Sequence, residues 1–115
     1  MSVKPYLDVE GVEVKIDQAD GVTMRVVIGP DQGAPNFVMR VFEVAPGGHT
    51  PRHQHEFEHE IFFHTGTGEV FYEDETTPVG PGYTAYVAPW AWHQIRNTGE
   101  EPLVFACLVP RSVHP

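Results

Sequence analysis

Cysteine is almost absent from this chain: Cys107 is the one example in 115 residues. A single thiol cannot form an intramolecular disulfide, so nothing implies an oxidising compartment. Basic residues are also scarce, 7 against 16 acidic ones, for a formal charge of −9. A surface of that sign repels phosphate backbones and anionic lipids, which argues against nucleic-acid and membrane partners and favours solubility. No stretch approaches the roughly 20 apolar residues of a membrane span. The opening MSVKPYLDVEG holds no apolar run of the signal-peptide kind. These absences point to a soluble, cytoplasmic protein.

Helical periodicity is missing too, and 11 glycines and 11 prolines punctuate the chain. Between them lie short stretches of strand character: VEVKI (Val12–Ile16), VTMRVVI (Val22–Ile28), NFVMRVFEV (Asn36–Val44), EIFFHT, EVFYE, YTAYVA, HQIRN and LVFACLV. DETTPVGPG (Asp74–Gly82) reads as a hairpin loop followed by a tight turn, with Glu73-Asp74-Glu75 at a solvated tip. Eight or nine short strands in a chain of one-domain length predict an all-β fold, a closed or double-sheet architecture such as a jelly roll. The expected domain is 1–115 with its core at about 22–110.

What is abundant is histidine, in one place. HTPRHQHEFEHE, from His49 to Glu60, holds four of the 7 histidines and three glutamates. A solvated polar loop has such a composition, and so has a metal site. In a strand, residues two apart share a face, so His53 and His55 point together. Imidazole pairs suit Zn, Cu, Ni, Fe and Mn alike. His59 and Glu60 then compete for the next position. If HEIFFHT is a strand, His59, Ile61 and Phe63 share one face and Glu60, Phe62 and His64 the other. The first register is preferred, because it buries no isolated carboxylate. That makes His59 the third ligand and leaves Glu60 beside the site or on the surface. His93, at the start of HQIRN and after Trp90 and Trp92, reads alone as a packed core residue and gains weight beside the cluster. His49, His64 and His114 have no partner at ligand spacing.

These residues resemble the cupin motifs. Gly47, His53 and His55 fit the start of G-x5-H-x-H-x(3,4)-E-x6-G; counting forward from His55 gives Glu60, and counting back from Gly66 gives His59. Gly82, His93 and Asn97 fit parts of the second motif, whose P-x-G step is replaced by Ala88-Pro89-Trp90-Ala91. The chain is similar to small single-domain type-2 cupins in which histidine replaces the usual glutamate. HQHEFEHE keeps their histidine spacing, with Glu56 and Phe57 in place of Pro and Trp, and APNFVMR, IRN and FACLVP look alike as well. The resemblance implies a cupin double-stranded β-helix (jelly-roll barrel) and a four-histidine manganese centre of His53, His55, His59 and His93. An octahedral ion held by four imidazoles keeps two positions for water, O2 or a bidentate substrate. Ligand chemistry alone would favour Cu, Ni or Zn over Mn or Fe. One divalent transition metal is therefore the expected cofactor, with manganese named by resemblance. Homodimerisation, with the N-terminal strand on the partner, is expected by analogy.

Around that centre, Ile61, Phe63 and Phe105 are expected pocket walls, and Trp90 and Trp92 either wall the pocket opening or form a dimer contact. Arg40 and Cys107 join Glu60 as candidates for the surroundings of the metal. Cys107 shares a face with Leu103, Phe105 and Val109, and most free cysteines are small buried hydrophobes. Arg40 is either a surface residue or an inward cation able to hold an anionic substrate. The expected activity is an oxidoreductase of dioxygenase type acting on a small oxygen-bearing molecule with O2. A non-oxidative isomerase or lyase, and a small-ligand-binding module without turnover, are the alternatives.

Overall fold

The structure is a computed structural model and describes residues 1–113. His114 lies outside the described residues. Nine strands follow one another: β1 Val12–Glu13, β2 Asp20–Ile28, β3 Phe37–His49, β4 His59–Thr65, β5 Gly68–Tyr72, β6 Glu75–Val79, β7 Thr84–Val87, β8 His93–Asn97 and β9 Leu103–Pro110. Among the described residues the only helical pieces are three single 3-10 turns, and no helix is long and apolar enough to cross a membrane. All strand pairings are antiparallel, in the order β6-β5-β8-β3-β9-β4-β7, with β2 also on β3 and β1 on β2. The protein is an all-β jelly-roll barrel, as its turn-rich composition predicts.

Period-two alternation fills the interior. On β9, Leu103, Phe105, Cys107 and Val109 are buried; on β4, His59, Ile61 and Phe63 are. Apart from His59, these side chains meet Val22, Val38, Val44, Val87 and Ile95 in one core. Asn97, also buried, fastens the β8–β9 turn to the long strand: its Nδ2 donates to the carbonyls of Val44 (2.9 Å) and Glu101 (2.7 Å).

Three local expectations are corrected. Asp74–Gly82 is not a loop, because Glu75–Val79 forms β6 and pairs with β5. Its Pro78 is compatible with pairing because β6 is the last strand in the sheet order and has a free side. The strand expected over Val12–Ile16 is reduced to Val12–Glu13, although the Val14 N–H still donates to the Val22 carbonyl (2.8 Å). Finally, β3 does not stop at Val44 but continues through Pro46-Gly47-Gly48 to His49. Gly47 takes φ +78 there, a conformation that glycine enters without penalty.

Candidate metal centre

Residues 50–58 are not a regular strand. Pro51 has no N–H to give a ladder, and the segment is held by its neighbours instead. The His53 N–H donates to the His93 carbonyl (3.1 Å), and the His93 N–H returns to that of His53 (3.0 Å). Farther along, the Trp90 N–H donates to the His55 carbonyl (2.7 Å). The shared face of His53 and His55 thus has a different cause from the expected one. It comes from docking on β8 and on the turn before it.

This docking brings His53, His55 and His93 together, with one potential ligand nitrogen from each, all within 4.8 Å of one another. His59, the first residue of β4, abuts the trio: its Nε2 is 2.6 Å from Nε2 of His55. Ring centroids of His59 lie 4.3 Å from His55 and 5.4 Å from His93. Backbone carbonyls fix two tautomers. Nδ1–H of His93 donates to Ala91 O (2.9 Å) and Nδ1–H of His55 to Phe57 O (3.1 Å), which turns both Nε2 lone pairs to the cluster. His55 also stacks flat on Phe57, centroids 4.0 Å apart. With the His55 proton on Nδ1, the short contact needs its hydrogen from Nε2 of His59. Nδ1 of His59 then accepts, with Cys107 Sγ at 3.0 Å and Arg40 Nη2 at 3.4 Å.

All four imidazoles are held neutral. Burial, and then the neighbouring His93 and His55, bring His53 down to about 4. Burial, His55 and the Arg40 guanidinium bring His59 down to about 2. His55 and His93 are lowered chiefly by burial as well. A neutral nitrogen with a free lone pair is the form that ligates, so His53, His55 and His93 fit a divalent transition metal, and His59 would join them with its proton moved from Nε2 to Nδ1, where Cys107 Sγ can accept it. The same shifts give a pH dependence. Below the ordinary histidine value of 6.5 the unfolded chain takes up protons that folded His53 and His59 refuse. Stability of the chelator-treated protein is expected to be full above pH 6.5 and to fall steadily from there towards about 4. Thermal melts at pH 7.5, 6 and 5 check this, and a flat profile would contradict it.

A cavity of about 200 Å³ opens beside the cluster, lined by His53, His59 and His93 together with Arg40, Cys107 and Thr50. Its apolar walls are Ile61 and Phe105, two of the residues named from the sequence, together with Val14, Ile16, Val22, Met24, Phe42 and Ile95. The β2 and β3 contributions had a signal in the alternation of Val22 and Met24 and of Arg40 and Phe42. Val14 and Ile16 had one too, in the alternation of VEVKI, although the chain there leaves the strand after Glu13. Arg40 points inward, where β3 pairs it with Cys107 of β9. Its Nη2 lies 3.3 Å from Cys107 Sγ, and its guanidinium sits 5.0 Å from the centre of the Phe42 ring. Burial pushes the Cys107 thiol up, with Arg40 opposing.

Glu60, left beside the site or on the surface, is exposed on the outer face of β4 and takes no part in the surroundings of the cluster, since one residue along a strand reverses direction. Three other expectations are corrected. Phe63 is 0% exposed and packs in the core behind Phe105 (5.4 Å between centroids) instead of lining the cavity. Trp90 and Trp92 are 61% and 44% exposed and lie outside the cavity. Trp90 nevertheless stands where the second cupin motif has glycine, and it adopts φ +66, so the left-handed turn before His93 is kept without the glycine. His49 bonds to Thr50 O (3.2 Å) and Gln94, and His64 is exposed.

Residues 40–109, more than half of the chain, match the Cupin_2 cupin-domain model. The chain belongs to the Cupin_2 family. Among solved structures, this cupin is similar to the polyketide cyclase RemF from Streptomyces resistomycificus, with 32% identity and a TM-score of 0.90 over 96% of this chain and 80% of that one. A cupin 2 domain-containing protein from Halorhodospira halophila is 41% identical, with a TM-score of 0.76, covering 79% of this chain and 65% of that one. Among curated proteins, 1-methylthio-D-xylulose 5-phosphate methylsulfurylase of Rhodospirillum rubrum is 34% identical over 71 residues, 62% of this chain and 46% of that protein. The match thus spans less than half the length of that relative.

Proposed function

We propose that this cupin is a metal-dependent enzyme acting on a small oxygen-bearing molecule, with His53, His55, His59 and His93 holding one divalent transition metal. The observation that carries this reading is the convergence of His53, His55 and His93, with His59 against His55, beside an otherwise largely apolar cavity. The bound ion would supply Lewis acidity for a substrate oxygen, and one-electron chemistry if it is redox-active. The protein's own part is positional. Ala91 and Phe57 carbonyls orient His93 and His55, while Cys107 and Arg40 hold His59 from behind. The apolar walls keep water from the substrate. Apart from the imidazoles, the uncharged proton-bearing side chains lining the cavity are the Cys107 thiol and the Thr50 hydroxyl.

We favour non-oxidative chemistry, because the similar proteins include a polyketide cyclase. The dioxygenase reading is second, favoured by an apolar cavity that admits O2 beside an imidazole-only donor set suited to Mn, Fe or Cu. A screen of small carboxylates, enols and diols with reconstituted protein, run with and without oxygen, separates them. Turnover is expected to survive strict anaerobiosis and to vanish on chelation. Turnover only with oxygen uptake would make the dioxygenase reading correct, and stoichiometric binding without turnover would make this a binding module. A homodimer belongs to the same proposal, and the exposed Phe37, Phe62 and Tyr86 supply apolar surface for one.

A further inference from the structure

The cavity holds a cation without a counter-ion. Arg40 cannot shed its proton, so its charge must be answered by something nearby. Within the cavity its neighbours are a thiol and an imidazole, Cys107 Sγ at 3.3 Å and His59 Nδ1 at 3.4 Å. Its Nε is buried with no hydrogen-bond partner at all. No aspartate or glutamate lines the cavity. The ion pairs among the described residues use Lys15, Arg25 and Arg96, not Arg40. A half-buried guanidinium whose Nε is buried without a partner, and which faces no carboxylate in its cavity, is suited to an anion that arrives with the ligand.

Size and wall chemistry narrow the class. The volume is about 200 Å³, and an apolar cavity of about 150 Å³ is enough for benzene. A single ring or short chain with one anionic group therefore fills the space. The walls from Val14, Ile16, Met24, Phe42 and Ile95 offer carbon, not hydrogen bonds. A sugar phosphate would bring several hydroxyls, and apart from the imidazoles and Arg40 the walls offer them only Thr50 and Cys107. We propose that Arg40 is the specificity-determining residue of this cavity and that it selects a small monocarboxylate with an apolar body over a neutral isostere or a phosphate. This rests on the cavity being the substrate site proposed above, but not on a metal being present.

The test uses benzoate, its neutral isostere benzamide, and inorganic phosphate as probes, titrated calorimetrically into wild type, Arg40→Met and Arg40→Lys. Each protein is measured metal-loaded and chelator-treated. Benzoate is expected to bind wild type at least about tenfold more tightly than benzamide or phosphate in both forms. Arg40→Met should erase the preference and Arg40→Lys should keep part of it. Should Arg40→Met fail to fold, the three-probe comparison on wild type and the shift of the Arg40 Nε–H resonance on adding benzoate still decide. The proposal is overturned by equal binding of benzoate and benzamide, by stronger binding of phosphate, or by no benzoate binding. It is equally overturned if the preference survives in Arg40→Met but disappears on chelation, which would place the carboxylate on the metal and leave Arg40 a packing role. A wild-type protein that takes up no metal yet keeps its benzoate preference would sink the metal proposal and leave this one standing.

Discussion

Replacing His93 by alanine is expected to weaken divalent-metal binding by at least about a hundredfold, since merely losing a partner behind a ligand costs about ten- to a hundredfold. His93 is one of the three residues whose ligand nitrogens lie mutually within 4.8 Å. Its ring is fixed by Ala91 O, and its backbone holds the His53 segment in place through two hydrogen bonds. The backbone bonds survive the substitution, so His53 and His55 stay where they are and the loss reports the missing nitrogen. Competition titration against a chromophoric chelator measures it. His64→Ala, an exposed histidine of β4 outside the cluster, is the control and should change nothing. Affinity unchanged in His93→Ala would remove that residue from the site.

Phe63→Ala should act in the opposite way, on stability and not on the metal. The ring is fully buried and packs against Phe105, which itself lines the cavity. Truncating a buried phenylalanine costs about 3–5 kcal/mol, partly in lost transfer free energy and partly in the void left behind. That is a large share of the roughly 5–15 kcal/mol that a domain has in hand. The urea midpoint should fall accordingly, while folded protein keeps its metal affinity. A loss below about 1 kcal/mol would mean that the neighbouring core collapses into the space, or that Phe63 is not the anchor its burial implies.

How far the sequence led depended on whether a residue's direction followed from strand periodicity. On β4 it did: choosing the register that buries Ile61 and Phe63 put His59 inside and Glu60 outside, which is how the strand folds. The inward face of β9 follows from the same alternation. Periodicity failed where pairing partners decide. Pro46-Gly47-Gly48 reads as a turn but runs inside β3, because strand pairing on both sides carries the chain through a bulge. Strand periodicity puts His53 and His55 on one face of a strand; they converge instead because β8 and the Trp90 amide hold an irregular segment. Arg40 had two equal directions in the sequence, and only its register against Cys107 turns it inward. The tryptophans look like pocket walls by type, yet the turn before His93 carries them outward.

The central claim is that the histidine cluster is a metal centre. Elemental analysis of the tag-free wild-type protein, as purified and after reconstitution, tests it most directly. One equivalent of a divalent transition metal per chain is the expected result, because the four imidazoles are neutral and two of their tautomers are already fixed for ligation. Less than a tenth of an equivalent after reconstitution with manganese, iron, copper, nickel and zinc in turn would contradict it, and would make the cluster from His53 to His93 a packed polar wall of the barrel.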